Sequence, residues 1–284
     1  MIETKWRSLE DLDGSKLHFL TLGIGNAFTD RHFHSSFVLV TGSGLVLVDA
    51  PAPLRRIVRD AAFKSHVALD VLMIDHVILT HLHGDHCNGL EEFAFMKKYL
   101  DAGRRPHLYL LPELVGPLWN NRLSAAMGGT SRETGDERSL SDYFDVHPWE
   151  PGSVHRLPNG PNITVETKRT KHSIPCQALK FTYGGYRLGY SADTPFDQEL
   201  IDFLAPCDMI IHEVGEAAEV HTPLARLHAL PEELQRKIRL IHIPDDLTPE
   251  DTSIGILREG MLYEVKKPTP KDEGAASSAA PALR

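Results

Sequence analysis

The segment Thr80–His86 reads Thr-His-Leu-His-Gly-Asp-His, so three histidines and one aspartate lie within six residues. Each of these side chains costs free energy to bury unless a partner satisfies it, and an ordinary hydrophobic core does not need such a cluster. The segment follows the apolar run 71–79, which has the composition of a buried strand that ends in a loop. Loops at the ends of rigid strands often hold catalytic groups. The motif therefore favours a metal site over a solvated polar loop.

The spacing within the motif fits two metal ions. His81 and His83 are two positions apart, so an extended backbone directs both side chains to one side, where they can share one ion. Gly84 permits a sharp turn, and that turn can direct Asp85 and His86 toward a second ion.

The His-x-His-x-Asp-His pattern resembles the signature of the metallo-beta-lactamase superfamily, and the resemblance extends over residues 17–265. Residues 22–28, 35–40 and 45–49 are similar to the opening hairpin of that fold. The resemblance implies an α/β fold, a four-layer αβ/βα sandwich in which two packed mixed sheets carry outer helices. Strand and helix candidates along the chain agree with this arrangement.

The resemblance also implies a binuclear metal centre. His172 stands where the third histidine of the family is expected, and segments 191–194 and 240–242 are similar to those that carry the bridging aspartate and the last histidine. The chain has sixteen histidines, so His172 and His242 are weak candidates when each is considered alone. Their support comes from their order and spacing relative to the motif. The implied ligands are His81, His83 and His172 for one ion, Asp85, His86 and His242 for the other, and Asp193 as the bridge. Imidazole and carboxylate ligands suit zinc, iron or manganese, and zinc is the default expectation for the two divalent ions.

Two nearby cations favour hydrolysis. A water held between them loses a proton near neutral pH, and the hydroxide attacks a carbonyl or phosphorus while the metals neutralise the developing charge. The leaving group then needs a proton donor or a metal contact.

Residues 211–213 (Ile-His-Glu) and 221–222 (His-Thr) resemble the ribonuclease Z and phosphodiesterase branch of the superfamily. In that branch, the resemblance implies that Glu213 and His221 form a proton shuttle beside the metals and that His221 faces the scissile phosphate. The catalytic set is then Asp85, Glu213 and His221. The alternative interpretation of residues 213–219 is an acidic surface loop.

Charge argues against tRNA as the substrate, because the formal net charge of −9 does not suit a partner with a phosphate backbone. After the last ligand the chain continues with residues 243–246, Ile-Pro-Asp-Asp, rather than the Ser-Pro-Arg-Tyr type of ending seen in ribonuclease Z. We therefore expect a small phosphodiester substrate. The basic cluster 168–171 could orient a phosphate, although a solvated strand end is the commoner meaning of a short charge run.

Chain organisation is predicted as one domain over residues 1–265, because ligands from His81 to His242 must converge. A cap insertion is predicted near residues 113–150, with helical character at 114–122 and 140–144, and a disordered tail over 266–284. The cap aromatics either line the pocket or pack internally, and packing is the more frequent fate. These aromatics are Trp119, Tyr143 and Phe144. His32 and His34, before the second strand, are weaker candidates for reaching the pocket.

Two other functions stay open at this stage. One is a carboxylic ester, thioester or lactone hydrolase, and the other is a non-hydrolytic di-iron protein that binds oxygen or serves as a redox sensor. No apolar run approaches the roughly twenty residues of a membrane span, and the first residues do not resemble a signal peptide. Three cysteines without a disulfide pattern fit a reducing cytoplasm. The resemblance is also compatible with a homodimer.

Overall fold

The computed structural model describes residues 6–131, 135–158 and 160–267. These residues form two seven-stranded mixed sheets. The first sheet has the order β14-β1-β2-β3-β4-β5-β6 and the second has the order β13-β12-β11-β10-β9-β8-β7. The strands of the first sheet are β1 (His18–Gly23), β2 (Ser36–Thr41), β3 (Gly44–Val48), β4 (His76–Ile78), β5 (His107–Leu110), β6 (Asp145–Pro148) and β14 (Leu262–Glu264). Those of the second are β7 (Val154–Arg156), β8 (Thr164–Arg169), β9 (Gln177–Tyr183), β10 (Tyr186–Tyr190), β11 (Met209–Glu213), β12 (Ile238–Ile241) and β13 (Gly255–Ile256).

The two sheets share one pattern of strand direction. In the first, three antiparallel pairings from β14 to β3 are followed by three parallel pairings from β3 to β6. In the second, three antiparallel pairings from β7 to β10 are followed by three parallel pairings from β10 to β13. The two sheets therefore have the same topology, as the αβ/βα arrangement implies.

Side chains along the central strands point alternately to the two faces of the sheet and so contribute to two separate hydrophobic cores. Phe37 and Leu39 of β2 pack in a cluster that also contains Phe181 and Ile211 from the second sheet. Val38 of β2 points the other way and packs in a cluster with the helices of the first half. Because side chains alternate across a strand, a strand buried on both faces reads as a continuous apolar run. The first core thus joins the sheets, and the second joins the first sheet to its helices.

The helices are short and mostly lie between strands. The α-helices are α1 (Leu54–Ser65), α2 (Gly84–Cys87), α3 (Leu90–Leu100), α4 (Pro112–Leu118), α5 (Ser124–Met127), α6 (Gln198–Leu204), α7 (Leu224–His228) and α8 (Glu232–Lys237). A π-helical turn, Trp119–Leu123, joins α4 to α5, and 3-10 turns lie at Leu9–Asp11, Val71–Met73 and Leu140–Asp142. No helix in the described part of the chain is long and apolar enough to cross a membrane.

Local chemistry explains where two predicted helices end or begin. The sequence predicts a helix over 53–68, but α1 ends at Ser65 because His66 adopts a left-handed conformation with φ 55°. The sequence also predicts a helix over 195–204, but α6 begins at Gln198, because the Asp197 side chain accepts a hydrogen bond from the Glu199 backbone N–H and caps it.

The region predicted as a cap insertion contains more of the fold than expected. Residues 145–148 form β6, which pairs in parallel with β5 as an edge of the first sheet. Tyr143 and Phe144 are fully buried in the second core, so these two aromatics pack internally and do not line a pocket. Trp119 also packs against that core. The part of the predicted tail beyond residue 267 lies outside the described residues.

Candidate metal centre

The candidate ligands lie where parallel strands end. Asp49 follows β3 and the His81 motif follows β4 in the first sheet, and these two strands are parallel. Asp193, Glu213 and His242 lie at or just after the ends of β10, β11 and β12, which are also parallel neighbours. Because the carboxyl ends of parallel strands meet at one edge of a sheet, the fold brings residues far apart in sequence to one place.

The short helix α2 sets the direction of the second half of the motif. His83 is its N-terminal flanking residue, and Asp85 and His86 lie within its single turn. A Cβ atom on Gly84 would lie 2.7 Å from the side-chain amide nitrogen of Asn88, so a larger residue here would displace that side chain. The turn predicted at Gly84 is therefore a helical one.

Three imidazoles converge in the first group. His83 Nδ1 lies 3.2 Å from His81 Nε2 and 3.0 Å from His172 Nε2. Nitrogen atoms bound to one zinc ion at about 2.0–2.1 Å in a tetrahedron are separated by similar distances. The spacing of these three atoms fits a shared cation.

A carboxylate and two imidazoles form the second group. Asp85 Oδ2 lies 3.3 Å from His86 Nε2 and 3.3 Å from His242 Nε2. All three residues are buried. The side-chain ligand atoms of each group lie within 4.8 Å of one another.

Asp193 lies between the two groups. Its Oδ2 atom is 3.7 Å from His81 Nε2, 3.8 Å from His172 Nε2 and 3.4 Å from His242 Nε2. Its Oδ1 atom is 3.4 Å from His86 Nε2. The position of Asp193 is thus the one expected for a carboxylate that contacts two cations.

Unpaired buried atoms support a cation at this place. Within the described residues, His86 Nε2, Asp193 Oδ1 and His242 Nδ1 are buried without a hydrogen-bond partner. Buried polar atoms are costly when unsatisfied, and the first two face the space enclosed by the ligands. A residue set of imidazoles and carboxylates with these orphaned atoms fits divalent metal ions.

Hydrogen bonds on the far side of the rings fix which nitrogen faces the site. Thr80 donates its hydroxyl proton to Asp49, so it accepts from His81 Nδ1 at 2.9 Å. The Nδ1 atom of His172 lies 3.1 Å from the Val220 carbonyl, to which it donates. Both residues therefore keep an unprotonated Nε2 for a metal, as such outer partners commonly arrange.

Asp49 was not identified as a site residue from the sequence. It is fully buried, and its carboxylate accepts hydrogen bonds from the Thr80 backbone N–H at 2.8 Å and from His86 Nδ1 at 2.9 Å. A lone aspartate after an apolar strand carries no distinctive pattern, and only its position at the end of β3 indicates this role. Asp49 orients His86 and links it to the Thr80–His81 pair.

Backbone strain concentrates around the same residues. Five described non-glycine residues have positive φ, and three of them lie at the site: Asp49 with φ 60°, Ala192 with φ 49° and His242 with φ 57°. Such conformations cost free energy and persist where the surrounding structure enforces them, often at functional sites.

Burial and neighbouring charges shift the pKa values of the candidate ligands in different directions. Burial lowers the pKa of His81, His83 and His172, and the nearby Arg122 charge also lowers the pKa of His83. Burial alone would raise the pKa of Asp193, but the surrounding histidines lower it below its ordinary value. Burial would lower the pKa of His86, but the facing carboxylates raise it well above the ordinary value. The same carboxylates would stabilise a bound metal cation.

Glu213 and His221 lie beside the two groups. Glu213 Oε1 accepts from the backbone N–H groups of Thr194 at 2.9 Å and Thr222 at 3.2 Å, and it lies 3.3 Å from His221 Nδ1. The opposite ring nitrogen of His221 is free to face the site, where its ring lies 5.0 Å from that of His242. Glu213 is fully buried, so the alternative of a surface acidic loop does not describe it.

His32 and His34 differ in their relation to the site. Burial lowers the pKa of His34, and the charge of Asp85 opposes this shift in part. His34 is therefore close enough to the second group to be affected by its charge. His32 instead lies 3.8 Å from Glu259 and lines a separate cavity.

A cavity of about 710 Å³ opens beside His83. Helix α4, the π-helical turn and residues 174–175 form its walls, so the helical part of the predicted cap does border the site. The basic cluster 168–171 does not supply a free cation, because each of its three basic residues is within ion-pair distance of a carboxylate. The pairs are Lys168 with Glu199, Arg169 with Glu113 and Lys171 with Asp197.

We expect Asp49→Asn to weaken metal binding at the second group by about 10- to 100-fold, because loss of an outer carboxylate reduces the basicity and order of a ligand histidine. The measurement is a metal titration with a competing chelator. Asp60→Asn, which changes a partly exposed carboxylate on α1, is the matched control and should bind metal normally. Equal affinity in Asp49→Asn and the unchanged protein would contradict this role.

Family comparisons agree over most of the chain. A family model described as Anti-Pycsar protein Apyc1 matches residues 17–263. A protein of that name from Paenibacillus sp. (strain J14) is 38% identical over 257 residues, which cover 87% of this chain and 98% of the relative. Another from Bacillus phage BSP38 is 29% identical, over 85% of this chain and 96% of the relative.

Solved structures show the same fold at low sequence identity. The metallo-beta-lactamase fold protein YhfI from Bacillus subtilis has a TM-score of 0.68 and 16% identity, and covers 88% of this chain and 99% of its own. A diphosphatase of the PhnP family has a TM-score of 0.65 and 17% identity, over 89% of this chain and 99% of its own. The short form of human tRNase Z has a TM-score of 0.62 and 17% identity, over 88% and 99%. The chain therefore belongs to the Anti-Pycsar protein Apyc1 family and has the metallo-beta-lactamase fold.

Proposed function

We propose that this protein is a binuclear metal-dependent hydrolase that cleaves a small phosphodiester. The observation that carries the proposal is the convergence of two ligand groups on Asp193, with His221 beside them. Asp193 lies within 3.8 Å of ligand nitrogens from both groups. A single structural zinc site would need only one closed set of four ligands.

The residues around the centre have distinct tasks in this proposal. Two bound cations would supply a nucleophile at neutral pH and neutralise the charge that develops on the substrate. The chain holds those cations with the seven ligands, and Asp49 and Thr80 keep the ligand rings oriented. Asp193 fixes the distance between the two groups.

His221 and Glu213 are proposed to handle the proton of the leaving group. His221 directs Nδ1 to Glu213, and one of its ring nitrogens lies within 4.8 Å of the ligand atoms of Asp193 and His242. Burial, followed by the charge of Asp193, raises the pKa of Glu213 well above its ordinary value, and its Oε2 atom has no hydrogen-bond partner among the described residues. Glu213 Oε1 accepts from Nδ1–H of His221, so a His221 protonated on both ring nitrogens can give its Nε2 proton to the departing oxygen and become neutral. That arrangement suits a general acid for an alkoxide leaving group.

A phosphodiester of nucleotide size is the proposed substrate. The cavity beside His83 has about 710 Å³, which suits a small molecule rather than a folded RNA. The net charge of −9 also disfavours a long phosphate backbone. The relatives are named anti-Pycsar proteins, a name compatible with a cyclic nucleotide phosphodiesterase, so cyclic mononucleotides are the first substrates to test.

The test is to reconstitute the purified protein with zinc, manganese or iron and to measure turnover of defined substrates. These are cyclic mononucleotides, bis(4-nitrophenyl) phosphate, 4-nitrophenyl acetate and a thioester. We expect two metal ions per chain and hydrolysis of the phosphodiesters. His228→Ala removes an exposed histidine outside the site and should change neither result.

Other outcomes would select another function. Turnover of the carboxylic ester or thioester alone would replace the phosphodiesterase assignment with a carbon ester hydrolase. Two irons with a visible absorption band and no turnover would support a di-iron sensor instead.

A further inference from the structure

The cavity beside His83 has an asymmetric wall. Leu114 and Leu118 of α4 line it together with Ile174 and Pro175, which follow His172, so part of the wall is apolar. His83, from the first ligand group, lies in the same wall. A molecule in this cavity is therefore next to the candidate metal centre.

The charged side chains that line this cavity differ in whether another side chain pairs with them. Glu113 forms an ion pair with Arg169, which joins α4 to the end of β8 and offsets the charge of the glutamate. Glu91, in the first turn of α3, also lines the cavity. Arg122 is the cation among the lining residues, and within the described residues no carboxylate lies at ion-pair distance from it. Its guanidinium thus retains donors for an anionic ligand.

A hydrogen bond links the exposed side chain of Arg122 to Asn88. Its Nη1 atom donates to Asn88 Oδ1 at 3.0 Å. Asn88 in turn donates its backbone N–H to the Gly84 carbonyl at 3.0 Å, at the end of the helix that carries Asp85 and His86. The guanidinium is therefore tied to the element that carries two candidate ligands, and one hydrogen bond leaves most of its five N–H groups available.

We propose that Arg122 is a specificity-determining residue that binds the charged oxygen of a phosphodiester held in this cavity. The proposal rests on the proposed function and adds to it the group that selects an anionic ester over a neutral one. Guanidinium groups suit this task because they are always charged and match phosphate oxygens geometrically. A neutral carboxylic ester gains nothing from this contact.

The test compares Arg122→Gln, Arg122→Lys and the unchanged protein with their metals bound. Bis(4-nitrophenyl) phosphate and 4-nitrophenyl acetate have the same leaving group but differ in charge. We expect Arg122→Gln to raise KM for the phosphodiester about 10- to 100-fold, with a much smaller change in kcat and in acetate hydrolysis. Arg122→Lys should recover part of the loss, because it restores the charge but not the planar fork.

A second readout does not depend on turnover. Calorimetric titration with inorganic phosphate should show about tenfold or greater loss of affinity in Arg122→Gln, with the metal content unchanged. Arg105→Gln is the matched control, since Arg105 is an exposed arginine before β5, at the opposite strand end from the site. It should leave phosphate affinity and KM unchanged.

The outcomes separate this inference from the proposed function. If the unchanged protein hydrolyses no phosphodiester, the proposed function fails. The Arg122 inference then fails as well only if Arg122→Gln binds phosphate as tightly as the unchanged protein does. If phosphodiesters are hydrolysed and KM and phosphate affinity do not respond to Arg122→Gln, the inference is overturned while the function stands. Loss of metal in both Arg122 variants would reduce Arg122 to a support for α2 and overturn it as well.

Discussion

Asp193→Ala is expected to weaken metal binding at both groups together, by more than about 100-fold, and to abolish measurable hydrolysis. The reason is its position, because its two carboxylate oxygens lie within 3.8 Å of four histidine nitrogens from both groups. Loss of an outer-shell partner alone typically costs 10- to 100-fold in affinity, so loss of a shared ligand should cost more. The measurement is metal content by elemental analysis after dialysis, together with a chelator-competition titration.

His242→Ala is the informative comparison for Asp193→Ala. Its Nε2 atom lies 3.3 Å from Asp85 and it belongs to the second group, so its loss should empty chiefly one site. Thermal unfolding with and without added zinc provides a second readout, since a ligand that binds only the folded state raises the apparent stability. Saturation of the unchanged protein at one metal would refute the binuclear assignment, and loss of the first site in His242→Ala would show that the two halves are exchanged.

The sequence was sufficient to predict the fold and to identify residues that the structure brings together. The His81–His86 motif is dense in groups that a core does not bury without partners, so its meaning could be inferred from a single chain. Distant members such as His172 and His242 gained weight only through the family resemblance. In the structure the seven candidate ligands form two adjoining groups that meet at Asp193. Whether metals bind there stays a prediction.

Other parts of the site had no readable pattern. Asp49 follows β3 as a single acidic residue, and only the pairing of β3 with β4 brings it to His86 and Thr80. Arg122 lies in a π-helical turn whose polar sequence resembles any exposed helix. The role of such residues depends on tertiary contacts, which local periodicity does not encode.

For a related reason, the sequence predicts no strand at residues 145–148, 154–156, 255–256 or 262–264, which form the sheet edges. Strands β6, β7 and β14 have only three or four residues, and none of their residues is fully buried. A strand at the edge of a sheet is often short and polar, which limits unwanted pairing and removes the apolar alternation that identifies central strands. Residues 145–148 were therefore assigned to an insertion although they extend the first sheet.

His221→Ala separates proton delivery from metal binding. We expect this variant to retain both metals and to lose about 10²- to 10⁴-fold in turnover of a phosphodiester with a poor leaving group. Glu213 holds the imidazole through Nδ1, which leaves Nε2 as the nitrogen that can carry a proton to a departing oxygen. A 4-nitrophenyl phosphodiester should lose much less, because its leaving group departs without a proton. Parallel kinetics with the two substrates, with metal content measured on the same samples, provides the test.

Glu213→Gln should follow the same pattern with a smaller loss if Glu213 acts through His221. The amide keeps a carbonyl oxygen that can accept the bonds made by Oε1, but it cannot take up and release a proton. Equal losses on both substrates in His221→Ala, with both metals bound, would contradict the acid role. Loss of metal would instead make His221 a ligand, which its proximity to Asp193 and His242 permits. Either result would remove the main site-level argument for phosphorus over carbon and leave a hydrolase whose bond must be identified by substrate screening.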